Sequence, residues 1–205
     1  MNESKIFVLA DRALNDVVQQ ITDDQWAMEM PEEFQTRQLD HRPSLREIIA
    51  YHAYDDAWIP DILAGVTMDE VGPAKFDGDL LGDDPKASFA AIVDKACAAA
   101  EALDDPERIL HFSYGDYPAK YGLWHVISFR GLRTHDLAKV IGASTRLSDE
   151  LVKAMWDAFS PHAEEWRAMG VFGPEVPVPE DAPLQDRLLG LTGRQPDGSS
   201  DGKTA

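Results

Sequence analysis

Pro43-Ser44-Leu45-Arg46-Glu47-Ile48-Ile49-Ala50-Tyr51-His52 is the stretch that decides the fold. Ser44 and Glu47 stand three residues apart just ahead of an apolar run, the spacing of a capping box, in which each side chain satisfies a backbone N–H at the helix start. The spacing predicts a helix from there to about Leu63, ended by Gly65. Leu45, Ile48, Ile49, Ile59 and Ile62 recur on one face. His52 falls on that same face, and Asp56 follows one turn later.

Similar patterns extend in both directions. Ile6, Leu9, Ala10, Ala13, Leu14, Val17, Val18 and Ile21 predict a first helix over about Ser4 to Ile21. Thr22 to Trp26 reads as a short turn, and 27–43 as a connection. Residues 66–84, rich in Gly and Asp, read as a long loop. Asp84-Pro85 opens a third helix to about Leu103, because proline suits the first helical position. Ile109 to Tyr114 reads as a short strand or extended segment, and Gly115 to Pro118 as a turn. Pro118 opens a fourth helix that reaches Ile141 and stops at Gly142. Ser148 caps a fifth helix toward Met169, which Pro161 kinks or divides. Residues 171–183 are extended, and Leu184 to Leu191 forms a last short helix. The expectation is an all-α domain over 1–195 with a polar, mobile tail over 196–205.

Hydrophobic residues make up 44% of the 205 positions, enough for a full core. Against 37 acidic residues stand 19 Lys and Arg, a net charge of -18. That excess repels phosphate backbones and anionic lipid, so neither nucleic acid nor membrane is expected as a partner. No apolar run approaches the ~18 residues of a membrane span. No basic region followed by an apolar block opens the sequence, so no signal peptide is expected. Cys97 is the single cysteine, which suits a reducing cytoplasm; its small-residue helical surroundings mark it as buried filler rather than a nucleophile.

His52 and His135 are the residues from which chemistry could be built. They lie inward on two long helices, and bundles build metal sites from facing helices. Zinc takes three protein ligands plus water, or four. The position one turn before His135 is Gly131, which has no side chain. Ser128 is near the same face but ligates zinc poorly. His125, ten residues before His135, points about 80° away around the helix. Asp56 is the substitute carboxylate, read either as a histidine-orienting group or as a metal ligand. His41, His111 and His162 receive no role. Arg130 and Arg133 read as surface ion pairs with the abundant acids, the alternative being anchors for an anionic ligand. A small-molecule pocket is expected between His52, Asp56, Ser128 and His135, beside Gly131, with Trp124, Trp58 and Tyr51 near it.

Taken together, the opening quoted above, Gly115-Asp116-Tyr117-Pro118, and His135-Asp136-Leu137-Ala138 ending at Gly142 resemble the DinB-like superfamily. More narrowly, the chain is similar to the metal-binding domain of mycothiol-dependent maleylpyruvate isomerase and its single-domain relatives. Asp11 to Leu14, Thr22 to Trp26, Phe172 to Pro179 and Asp186 to Arg194 extend the resemblance over nearly the whole chain. It implies an up-down-down-up four-helix bundle with an extended C-terminal segment and a divalent metal, usually zinc, near one end. Carried over by position, the family's ligands are His52, Gly131 and His135. The glycine leaves that set incomplete. The resemblance therefore implies a small-molecule binder with weak or no metal. The alternative is a metal-dependent transferase or isomerase using a low-molecular-weight thiol of the mycothiol type, with zinc lowering the thiol's pKa. A homodimer is compatible with either.

Overall fold

The computed structural model describes residues 2–31 and 41–196. The tail expected beyond Pro196, and part of the connection expected over 27–43, fall outside those residues. Among the described residues the chain is mostly helical, with one small two-stranded sheet. It divides into two compact units, Met1–Thr145 and Arg146–Ala205.

The first unit holds helices α1 (Glu3–Val18), α2 (Leu45–Leu63), α3 (Met68–Val71), α4 (Pro85–Glu101) and α5 (Ala119–Ile141) and strands β1 (Ile109–Phe112) and β2 (Gly115–Pro118). The capping box at α2 forms in full. Ser44 Oγ accepts from the Glu47 N–H at 3.3 Å, and the Glu47 carboxylate accepts from the Ser44 N–H at 2.8 Å. Asp84 accepts from the Ala87 N–H at 3.1 Å and caps α4, with Pro85 at its first position. Gly142 ends α5 at φ 71°, a left-handed conformation that glycine adopts without strain.

Two local expectations change. The 66–84 segment contains α3, because Thr67 and Glu70 repeat the capping-box chemistry of Ser44 and Glu47. Gly115–Pro118 is a strand rather than a turn, pairing antiparallel with β1 so that Leu110 faces Tyr117 and His111 faces Asp116. The chain reverses at 113–114 instead. Gly122 lets this hairpin sit on α5: a Cβ there would fall 2.7 Å from the Phe112 ring.

The long helices α1, α2, α4 and α5 pack on one another, α1 against α4 and α5, and α2 against α4. Leu14, Val17 and Val18 of α1, Ile48, Ile49 and Ala53 of α2, Phe89 and Val93 of α4, and Leu137 and Ala138 of α5 share one buried cluster. Burial of such side chains at ~1.5–3 kcal/mol each is the main force holding the helices together.

The second unit holds α6 (Asp149–Phe159), α7 (Ala163–Ala168) and α8 (Leu184–Leu191). Ser148 caps α6, and a single 3₁₀ turn at Ser160–His162 carries Pro161 between α6 and α7, as its missing N–H requires. Phe159, Trp166 and Phe172 form an aromatic trio with centroids 5.2–5.6 Å apart. Arg187 of α8 lies 4.6 Å over the Trp156 ring of α6. Among the described residues, no helix is long and apolar enough to cross a membrane.

Candidate functional site

Every one of the four long helices sends one polar side chain into the same buried layer. On α1, Phe7, Asp11, Leu14 and Val18 follow 4-3-4 spacing, so Asp11 occupies an apolar-stripe position. Asp56 does so on α2, Cys97 on α4 and Arg130 on α5; Asp11 and Asp56 are 0% exposed and Arg130 2%. Arg130 Nε donates to Asp56 Oδ1 at 2.9 Å, and Nη2 reaches the same oxygen. The same Nε lies 3.5 Å from Asp11 Oδ1. The Cys97 thiol donates to Asp11 Oδ2 at 3.9 Å. Arg130 is thus no surface residue. Its stripe position forces it inside, and the two carboxylates supply the partners that a buried guanidinium needs.

Burial controls the ionisation of this layer. It pushes Asp11 well above the usual carboxylate range, and neighbouring Asp56 pushes the same way while Arg130 opposes both. Asp56 is raised as well, again by burial, but Arg130 pulls it back through its charge and hydrogen bonds. Burial works against the charge of Arg130, and Asp56 and Asp11 outweigh that and raise its pKa. Cys97 is pushed up to about 12 by burial and by Asp11. A thiol at that value is protonated at neutral pH and is no nucleophile.

His52 is 3% exposed, its ring centroid 6.3 Å from that of Phe129. His135 is 0% exposed, with Nδ1 3.4 Å from Asp136 Oδ1. Arg133 is also buried rather than on the surface, and its Nη1 lies 3.9 Å from Asp136 Oδ2. The Thr134 hydroxyl donates to the Arg130 carbonyl at 2.8 Å. Ser128 is buried, but its hydroxyl donates to the His125 carbonyl of its own helix at 2.9 Å. Gly131 is buried in α5, and Trp124 is half-buried. His125 stands apart under the hairpin, its ring centroid 4.7 Å from Tyr117 and 5.8 Å from Tyr114. Burial alone lowers its pKa.

The side chains do not fit the zinc that the resemblance implies. Asp56, the substitute third ligand, has its Oδ1 held by the two guanidinium nitrogens, and a fixed positive charge beside it disfavours a second cation. Gly131 brings no donor. Among the described residues, no three His, Cys, Asp or Glu side chains form a group able to hold a metal ion.

Asp11, Cys97, Arg130 and Asp136 are members of this arrangement that lie outside the expected site residues. Asp11 and Arg130 carried a readable signal, since each sits at a core position of an apolar stripe. Asp136 carried none beyond its place next to His135. No family model, no curated protein and no solved structure matches the chain.

Proposed function

We propose that this chain is a DinB-like four-helix protein of the mycothiol-dependent maleylpyruvate isomerase type that binds a small molecule beside His52 and His135, with weak metal affinity or none. Two layers of the first unit support the helix order. From the polar layer to the apolar one, α1 runs upward from Asp11 to Val17 and Val18. Along the same direction α2 runs downward from Asp56 to Ile49 and α4 downward from Cys97 to Val93, while α5 runs upward from Arg130 to Leu137. These directions support an up-down-down-up order, with His52 and His135 at sequence positions between those that α2 and α5 give to the two layers.

The observation that carries the functional reading is the engagement of Asp56 by Arg130. It leaves two imidazoles, with a buried glycine where the third ligand would stand. Two ligands are one fewer than a catalytic zinc site uses. His52 against the Phe129 ring, and His135 beside the Asp136 carboxylate, are instead the kind of polar group and apolar surface that small-ligand sites use.

The test combines elemental analysis with ligand screening. The purified chain should carry well below one zinc per molecule. Thermal shift and calorimetry against low-molecular-weight thiols and small carboxylates, with and without zinc, should find a stabilising compound. His52→Ala and His135→Ala should abolish its effect. Stoichiometric zinc that survives dialysis against a chelator would favour the metal-dependent thiol transferase instead. If no compound stabilises the wild type, and both substitutions change only stability, the small-molecule reading is wrong.

A further inference from the structure

The polar layer contains two carboxyl groups and one cation. Both carboxyls are 0% exposed, and both approach the same Arg130 nitrogen, Nε, at 2.9 Å for Asp56 and 3.5 Å for Asp11. Arg130 spends its close contacts on one oxygen of Asp56 and approaches Asp11 only at 3.5 Å. Asp11 Oδ1 and Asp56 Oδ2 are buried without a hydrogen bond from any described donor. With both acids ionised, the layer would bear one uncompensated negative charge in the core. Burying such a charge costs several kcal/mol.

The other charged and titratable groups around the layer do not remove that imbalance. On α1, the neighbouring Arg12 pairs with exposed Asp94, and its charge is the weakest of the influences on Asp11, pulling its pKa down. On α2, Asp55 adds negative charge, and on α4 so does Glu101. Cys97 contributes a neutral S–H. Tyr114, from the reversal between β1 and β2, is half-exposed, but desolvation of its hydroxyl and neighbouring Tyr117 push it up to about 12, so it stays neutral.

We propose that Asp11 and Asp56 share one proton in the folded protein at neutral pH, carried by Asp11, and that this proton is a pH-sensitive lock joining α1, α2 and α5. The neutral Asp11 carboxyl donates to Asp56, and ionised Asp56 accepts from Arg130 and from Asp11. The layer is then neutral, and both orphaned oxygens come into one network. The unfolded chain loses the Asp11 proton near the ordinary aspartate value of 3.8, whereas the folded chain keeps it. Stability therefore falls as pH rises above 3.8, and the fall stops where Asp11 ionises in the folded state. Over that interval this one group changes the unfolding constant by up to about tenfold per pH unit.

The experiment is equilibrium urea unfolding of the full chain from pH 5 to 9, on the wild type, Asp11→Asn and Asp56→Asn. Asn reproduces the shape and donor capacity of a neutral carboxyl. Asp11→Asn should fold and should remove up to a tenfold-per-unit slope present in the wild type. Asp56→Asn should be strongly destabilised throughout, because Arg130 loses its counter-ion. Carboxyl ¹³C NMR of aspartate-labelled wild type at pH 7 provides a readout independent of the variants and should show one protonated aspartate. An Asp11→Asn protein that keeps the wild-type slope, or all aspartates ionised at pH 7 in the wild type, would overturn the proposal. So would an Asp56→Asn protein more stable than Asp11→Asn.

Discussion

Replacing Arg130 by Met removes the cation that pairs with Asp56 and approaches Asp11 while keeping most of the side-chain volume. Asp56 then loses both guanidinium contacts inside a layer at most 2% exposed. The cheapest response is for Asp56 to take up a proton. At ~1.36 kcal/mol per pH unit, protonating an aspartate of ordinary pKa 3.8 costs about 4 kcal/mol at pH 7. That agrees with the roughly 3–5 kcal/mol measured when buried pairs lose one partner. Against a global stability of about 5–15 kcal/mol, it leaves a marginal fold. The cost should shrink to about 1.5 kcal/mol at pH 5, because the proton becomes easier to supply. Urea unfolding of Arg130→Met beside the wild type at both pH values measures the pair. Combining it with Asp11→Leu and Asp56→Leu should recover most of the loss, since an apolar layer needs no counter-ion. A cost below about 1 kcal/mol at pH 7, or one independent of pH, would refute this account of the layer.

Gly131→Glu should raise zinc affinity by returning a carboxylate one turn from His135, read by calorimetric titration with zinc; unchanged affinity would remove Gly131 from the site. Glu47 is held down to about 2 mainly by the Ser44 N–H, so its contribution is complete above about 4.5 and is lost as pH falls toward 2. Ser44→Ala should cost about 1 kcal/mol at neutral pH and lessen that acid loss, followed by urea unfolding at pH 7 and pH 3. Gly190→Ala should destabilise the second unit by about 1–3 kcal/mol, because the new Cβ would stand 2.5 Å from the Val176 carbonyl and the Val178 side chain. Hydrogen exchange of the α6 and α8 amides reads that loosening. Arg12→Ala should cost under about 1 kcal/mol, as its pair with Asp94 is solvent-exposed.

The helix starts were legible because capping is local chemistry. Ser44 with Glu47, Asp84 before Pro85, and Ser148 each act within a few residues of themselves. The stop at Gly142 is legible for the same reason. The missed helix α3 obeys that chemistry too, and the surrounding Gly and Asp obscured it. The hairpin was half legible: β1 has strand character, but β2 consists of Gly, Asp, Tyr and Pro, and its extended form depends on pairing with β1. Charge was the harder problem. The abundance of acidic residues suggested surface partners for Arg130 and Arg133, yet both are buried. Position on the stripe was the better guide than residue type. Asp11 at Phe7 plus four and Leu14 minus three is a core address, and a charge at a core address calls for a partner on another helix. Which partner it finds depends on helix order, which no short window of sequence contains.

Cys97 turns the interior of the first unit into something that can be timed. Its thiol is 0% exposed and pushed up to about 12, so a thiol reagent meets neither an accessible sulfur nor a thiolate in the closed bundle. Being the single cysteine, it needs no competing site removed and no label introduced. Where closing outpaces the reagent, the rate at which a disulfide reagent consumes it under native conditions is the fraction of time α4 exposes its inner face multiplied by the rate of an ordinary thiol. Run across pH, that same reaction becomes a stopwatch for the helices around Asp11.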